Sequence, residues 1–106
     1  VTRLVSELNL KHVKAIIAFN RLCTIAQAWN KEDDFTPDFS NRNQEKWFPW
    51  FVYSDDAAGF VFANTSYTAS FAIAYFGSRL CFKTSARARQ FGEQFIDLWN
   101  QVLLFR

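Results

Sequence analysis

Between Asp56 and Arg79 the chain carries no charged residue, and every Lys, Glu, Gln and Trp falls outside Phe60 to Phe76. The stretch is not uniformly apolar. Asn64, Thr65, Ser66, Thr68 and Ser70 stand among Phe, Val, Ala, Ile and Tyr, and such polar groups are costly to bury without partners. No apolar run approaches the eighteen or so residues of a membrane span. The pattern suits short β-strands: Trp47 to Tyr53, Phe60 to Thr65, Ala69 to Phe76 and Arg79 to Lys83, with turns at Ser54–Gly59 and Gly77–Ser78. In the fourth, Leu80 and Phe82 are expected on one face and Arg79, Cys81 and Lys83 on the other. Pro49 donates no ladder hydrogen bond, so its strand lies at an edge or begins there.

Helical periodicity brackets this segment. From about Leu10 to Trp29, Ala15, Ala18, Leu22, Ile25 and Trp29 recur at three- and four-residue steps, and Ile16, Phe19, Cys23 and Ala26 widen the stripe. Lys31 to Asp34 ends that helix, and Thr36 to Asn41 reads as an ordered loop because Pro37 biases Thr36 away from helix. Beyond the strands, Thr84 or Ser85 caps a last helix. Its apolar face is Ala88, Phe91, Phe95, Leu98, Trp99 and Val102, with Phe95 expected at the centre. The order predicts an α+β domain: an antiparallel β-meander of about four strands flanked by an N-terminal and a C-terminal helix.

At 106 residues, residues 1–106 form one domain with a modest core. The start at Val1 and the absence of Met point to a chain trimmed from a longer one. Aromatic residues make up 19% and the net charge is only +2, so no acidic or basic segment advertises a partner. Two cysteines, Cys23 and Cys81, are too few for a disulfide-stapled scaffold.

Nothing in the sequence assembles a catalytic or metal site. His12 is the one histidine, with no Cys, His or acid at ligand spacing. A Cys81–His12 pair would require the fold to bring the two together. Asp33-Asp34 and Asp55-Asp56 stand where turns are expected, and there is no glycine-rich phosphate loop. The expectation is a non-enzyme with no cofactor and no metal.

Two features speak for nucleic acid as the alternative partner. Trp47-Phe48-Pro49-Trp50-Phe51, beside Arg42 and Lys46, has the makings of a base-stacking platform, although aromatics in a small domain more often build its core. Arg79, Lys83, Arg87 and Arg89 form a short basic stripe, with Arg87 and Arg89 oddly placed at a helix start, where the dipole disfavours positive charge.

In the charge-free segment, alternation puts Phe71, Ile73 and Tyr75 on one strand face and Ala72 and Ala74 on the other. Pattern alone leaves both orientations open. Outward, the larger residues form an exposed uncharged aromatic patch, the mark of an interaction site.

The run Ala26-Gln27-Ala28-Trp29-Asn30, then Pro37-Asp38-Phe39-Ser40, Asn43-Gln44, Trp47 to Phe51, Gly59-Phe60 and Gly77-Ser78-Arg79-Leu80-Cys81-Phe82-Lys83 resembles a family of small hypothetical proteins of gut Bacteroides and their phages and prophages. The stretch before Gly77 resembles the variable region of diversity-generating retroelement targets. There, mutagenised template adenines turn Asn codons into codons for Tyr, Ser, Thr, Phe, Ile or Ala, and never for Lys, Glu, Gln, Trp or Met. The resemblance implies that Asn64, Ser66, Tyr67, Phe71, Ile73 and Tyr75 are ligand-binding positions. The C-type lectin fold of the best-known variable proteins is not implied, because a long amphipathic helix follows the segment here.

The expected function is a non-enzymatic binding module whose diversified β-surface meets a bacterial surface protein or glycan, as a phage or bacterial adhesin or receptor-binding component. Tyr and Phe supply contact area and Ser and Asn adaptable hydrogen bonds, as in antibody loops. The alternatives are a nucleic-acid-binding accessory protein and a homo-oligomeric structural or assembly protein. An adhesin would sit on a virion or cell surface, the other classes in the cytoplasm.

Overall fold

The computed structural model describes residues 10–68 and 77–104. Over them the chain runs α1 (Leu10–Glu32), β1 (Lys46–Ser54), β2 (Gly59–Thr68), α2 (Ser85–Gln94) and α3 (Ile96–Leu103). The fold class is α+β: three helices and a two-stranded antiparallel sheet among the described residues.

In α1 part of the periodic stripe, drawn from both its main line and its widening residues, is what packs. Ala18, Leu22 and Ala26 are buried and Cys23, Ile25 and Trp29 lie against them, while Ile16 and Phe19, which widened the stripe, are exposed. The helix ends in a turn whose geometry can be followed bond by bond. Asp34 takes a positive φ of 52°, its N–H donates to Lys31 O, and the Phe35 N–H donates to Asn30 O. That is the Schellman arrangement, with an aspartate where glycine is favoured. Phe35 folds back and is buried.

The expected turn at Ser54–Gly59 joins β1 to β2, with Ala58 at φ 52° and its N–H donating to Asp55 O. The pairing shifts between Trp50 and Phe51: Trp50 faces Asn64, Phe51 faces Phe62, and Ala63 is the extra residue of a bulge. The expected third strand, Ala69 to Phe76, lies outside the described residues. Arg79 to Lys83 does not run as a fourth strand. It touches the sheet through one antiparallel bridge, Trp47 with Phe82, and the expected alternation fails because Leu80, Cys81 and Phe82 are all buried. The segment is a buried connector: the Asn30 side chain donates to Cys81 O at 2.9 Å.

The single expected C-terminal helix is two. Thr84 caps α2, its side chain accepting the Arg87 N–H. The chain then leaves helical geometry at Phe95 (φ −110°, ψ 29°) before α3 begins. This moves the centre of the apolar face. Phe91 and Trp99 are buried, while Phe95 at the break is half-buried against Trp29 and Phe91. The core is Leu22 and Ala26 from α1, Leu80 and Phe82 from the connector, and Ala88, Phe91 and Trp99 from α2 and α3. Phe91 meets Phe82, Trp29 and Trp99 at ring centroid distances of 4.7, 5.5 and 5.9 Å, in the tilted and edge-on geometries that aromatic quadrupoles favour.

Candidate functional site

Alternation along β1 gives the hairpin two unlike faces. Trp47, Pro49 and Phe51 turn toward the helices: Phe51 packs on Trp99 at 4.8 Å, and Pro49 and Phe62 lie against Gly92 of α2. On this side Thr65 Oγ1 and Ser85 Oγ share a hydrogen bond of 2.7 Å. At the hairpin's far end the Asn100 amide holds the Phe60 backbone through both its N–H (2.7 Å) and its carbonyl (2.9 Å). The helices therefore brace one face of the hairpin along most of its length.

The opposite face carries Lys46, Phe48, Trp50 and Val52, with Ser66 facing Phe48, Asn64 facing Trp50 and Val61 facing Val52. The α1–β1 loop covers its lower end. Lys46 is fully buried there, Nζ donating to Asn41 O (3.2 Å) and Gln44 O (2.9 Å) and lying over the Phe39 ring. Beyond Phe48 the face opens: Trp50 is 41% and Val52 44% exposed, and Asn64 is exposed beside Trp50. Beyond Phe48 its described side chains are uncharged. A braced hairpin thus presents an aromatic anchor next to an amide, a combination that supplies both apolar area and directed hydrogen bonds.

The structure brings together only some of the sequence-predicted site residues. Asn64 and Ser66 share the open face, Ser66 being half-buried. Tyr67, one step along, points to the other side, where it stacks on Trp47 at 4.8 Å and remains 51% exposed. Phe71, Ile73 and Tyr75 lie outside the described residues. Sequence reasoning missed Trp50 and Val52 as surface residues, although their alternation with Pro49 and Phe51 was available as a signal. The expected platform is divided by the same alternation: Phe48 and Pro49 are buried, Trp47 and Phe51 half-buried, and only Trp50 is turned out.

The basic stripe is largely committed within the fold. Arg87 lies over the Trp29 ring at 4.8 Å and grips Asp33 through two hydrogen bonds (2.8 and 3.1 Å), with Glu32 at 3.1 Å. The Asp33 hydrogen bond, ahead of the nearby negative charges, raises its already high pKa. This clasp ties the end of α1 to the start of α2 and accounts for a cation where the helix dipole disfavours one. Arg89 pairs with Glu93 at 2.6 Å, and Lys83 Nζ donates to Asp33 O.

Cys81 is buried, and desolvation, opposed by the charge of Lys46, pushes its thiol up to about 11. A thiol so protonated is a poor nucleophile. Among the described residues no three His, Cys, Asp or Glu side chains gather as metal ligands, and no helix is long and apolar enough to cross a membrane. No family model, curated protein or solved structure matches the chain.

Proposed function

We propose that the protein is a non-enzymatic binding module that presents the open face of its β-hairpin, and the charge-free segment that follows, to a protein or glycan on a bacterial surface. One observation carries the reading: the uncharged open end of the β1–β2 face, where exposed Trp50 stands beside exposed Asn64 on a hairpin braced from behind. Rigid aromatic anchors with adaptable polar neighbours form effective recognition surfaces. The bracing separates scaffold from site, so residues on the open face can vary without disturbing the core. This is what a diversified surface of the retroelement type requires, its variable positions being Asn64 and Ser66 on that face, exposed Tyr67 at the other side, and Phe71, Ile73 and Tyr75 in the segment beyond. The engagement of Arg87, Arg89, Lys83 and Lys46 within the fold weighs against nucleic acid, whose binding depends on cations available to phosphate.

The test is binding of the labelled chain to a panel of intact Bacteroides cells. Trp50→Ala and Tyr67→Ala should abolish cell binding while the melting curve holds. Binding that survives both changes, or that is replaced by salt-sensitive retention on single-stranded DNA, would overturn the reading. A near-copy of the codons for Gly59 to Leu80 beside a reverse transcriptase gene would independently establish diversification.

A further inference from the structure

A groove of about 710 Å³ lies between α1, the loop after it and the connector, with no contribution from either strand. Asn30 and Lys31 each lie three or four residues from both Gln27 and Asp34 along one wall, and Ser78 and Arg79 form part of the other. We propose that this groove binds a carboxylated oligosaccharide, with Arg79 and Lys31 taking the carboxylate while the Gln27 amide and the Ser78 hydroxyl take sugar hydroxyls. The inference does not rest on the hairpin face.

Charge selects an anion. Arg87 and Arg89 are consumed by ion pairs, but Arg79 and Lys31 have no ion-pair partner among the described residues, and both reach the groove. Burial pushes the Cys23 thiol on the helix wall up, and the charge of Arg79 opposes that push.

Asp34 then narrows the class. A bare inorganic anion meets repulsion from this carboxylate, whereas a ligand that also carries hydroxyls donates to it. The one aromatic lining residue, Phe35, is buried, so no ring is offered for stacking bases. Directed polar groups dominate instead. Amide side chains both donate and accept, matching vicinal hydroxyls. Asn30 fixes the wall behind them: its Nδ2 donates to Cys81 O, and its buried Oδ1 accepts from no described group. The volume falls in the range of small-molecule sites. From Asn20 to Lys31 the wall runs about 16 Å at helical rise, longer than a single sugar ring.

Titration calorimetry of the full chain against oligomers of galacturonic acid, neutral galactose oligomers and inorganic phosphate tests the assignment. The acidic oligomer should bind roughly tenfold or more tightly than the neutral one, and phosphate should bind more weakly than the acidic oligomer. Arg79→Gln and Lys31→Gln, both at exposed positions, should each weaken it severalfold, and Arg79→Lys should restore part of the loss. Trp50→Ala should leave it unchanged, which separates this site from the hairpin face. Equal binding of the neutral oligomer or of phosphate, no binding of the acidic oligomer, or indifference to both cation variants would overturn the proposal.

Discussion

Gly92→Ala should destabilise the protein, against the usual direction of glycine replacement in a helix. Inside a helix the change gains about 0.8–1.0 kcal/mol from backbone entropy. Here the added methyl would stand 2.7 Å from Pro49 Cβ, 2.7 Å from Phe62 Cδ1 and 3.1 Å from Phe62 Cε1. Carbon atoms pack best at about 3.5–4.0 Å, so each of the closest contacts must open by about 1 Å. Phe62 can turn part of the way. Pro49 cannot: its Cβ is locked in a ring on a buried stretch of β1, so the helix itself must lift from the sheet. Overpacking of this kind costs about 1–3 kcal/mol, and the lift also loosens Phe91, one residue away in the core, which puts the cost toward the top of that range. The net is a loss of about 1–2 kcal/mol. For a chain near 100 residues that lowers Tm by about 4–16 °C. Urea and thermal unfolding measure it directly, and Phe62→Val in the Gly92→Ala background should recover part of the loss. A Gly92→Ala protein as stable as the parent, or more so, would refute the close approach of α2 to the hairpin.

Three further outcomes follow from the geometry. Asp34→Gly should raise stability by about 0.5–1 kcal/mol in thermal melts, because it relieves a non-glycine residue at positive φ in the Schellman turn. Phe91→Ala should cost about 3–5 kcal/mol by urea unfolding, and Phe95→Ala distinctly less, since Phe91 is fully buried and Phe95 is not. Cys81 binds its proton more tightly folded than unfolded, so its contribution is complete below the ordinary thiol pKa of about 8.5 and is lost as pH rises toward about 11. Stability should therefore fall through that window by up to about 1.4 kcal/mol per pH unit, and Cys81→Ala should show a shallower fall in unfolding experiments across the same pH range.

Much of the fold is legible where one periodic signal acts alone. Ala18, Leu22 and Ala26 mark the packing line of α1, and the polar cluster at Lys31 to Asp34 marks its end, because a helix must bury one face and then release the chain. Legibility fails where tertiary contacts override the local pattern. Leu80, Cys81 and Phe82 alternate like a half-exposed strand, yet α1 and α2 close over both sides of this short connector. A half-exposed thiol is not distinguishable in sequence from a buried one, since cysteine is small and apolar enough for either. The break at Phe95 was hidden for a similar reason: the apolar spacing of Phe91, Phe95 and Trp99 suits one continuous helix, and no glycine or proline stands there to announce a second.

The candidate surface was legible as a segment and not as a face. The absence of charge between Asp56 and Arg79 locates the region, but the orientation of each residue depends on which side the helices occupy, and strand alternation is indifferent to that choice. Contacts from outside the segment decide it. Gly92 admits Pro49 and Phe62 against α2, Ser85 holds Thr65 and Trp99 holds Phe51; Trp50 and Asn64 are left on the open side. The bulge at Ala63 adds a second dependence. With Phe51 held opposite Phe62, a regular ladder through this sequence would set Ala63, not Asn64, opposite Trp50. Deleting Ala63 should therefore keep both pairs, Trp50 with Asn64 and Phe51 with Phe62, in one continuous ladder, and a deletion variant that folds but loses cell binding would count against this register. The pairing of an exposed tryptophan with an exposed amide thus depends on a bulge that absorbs Ala63 and on the helices behind the hairpin, neither of which the composition of the segment encodes.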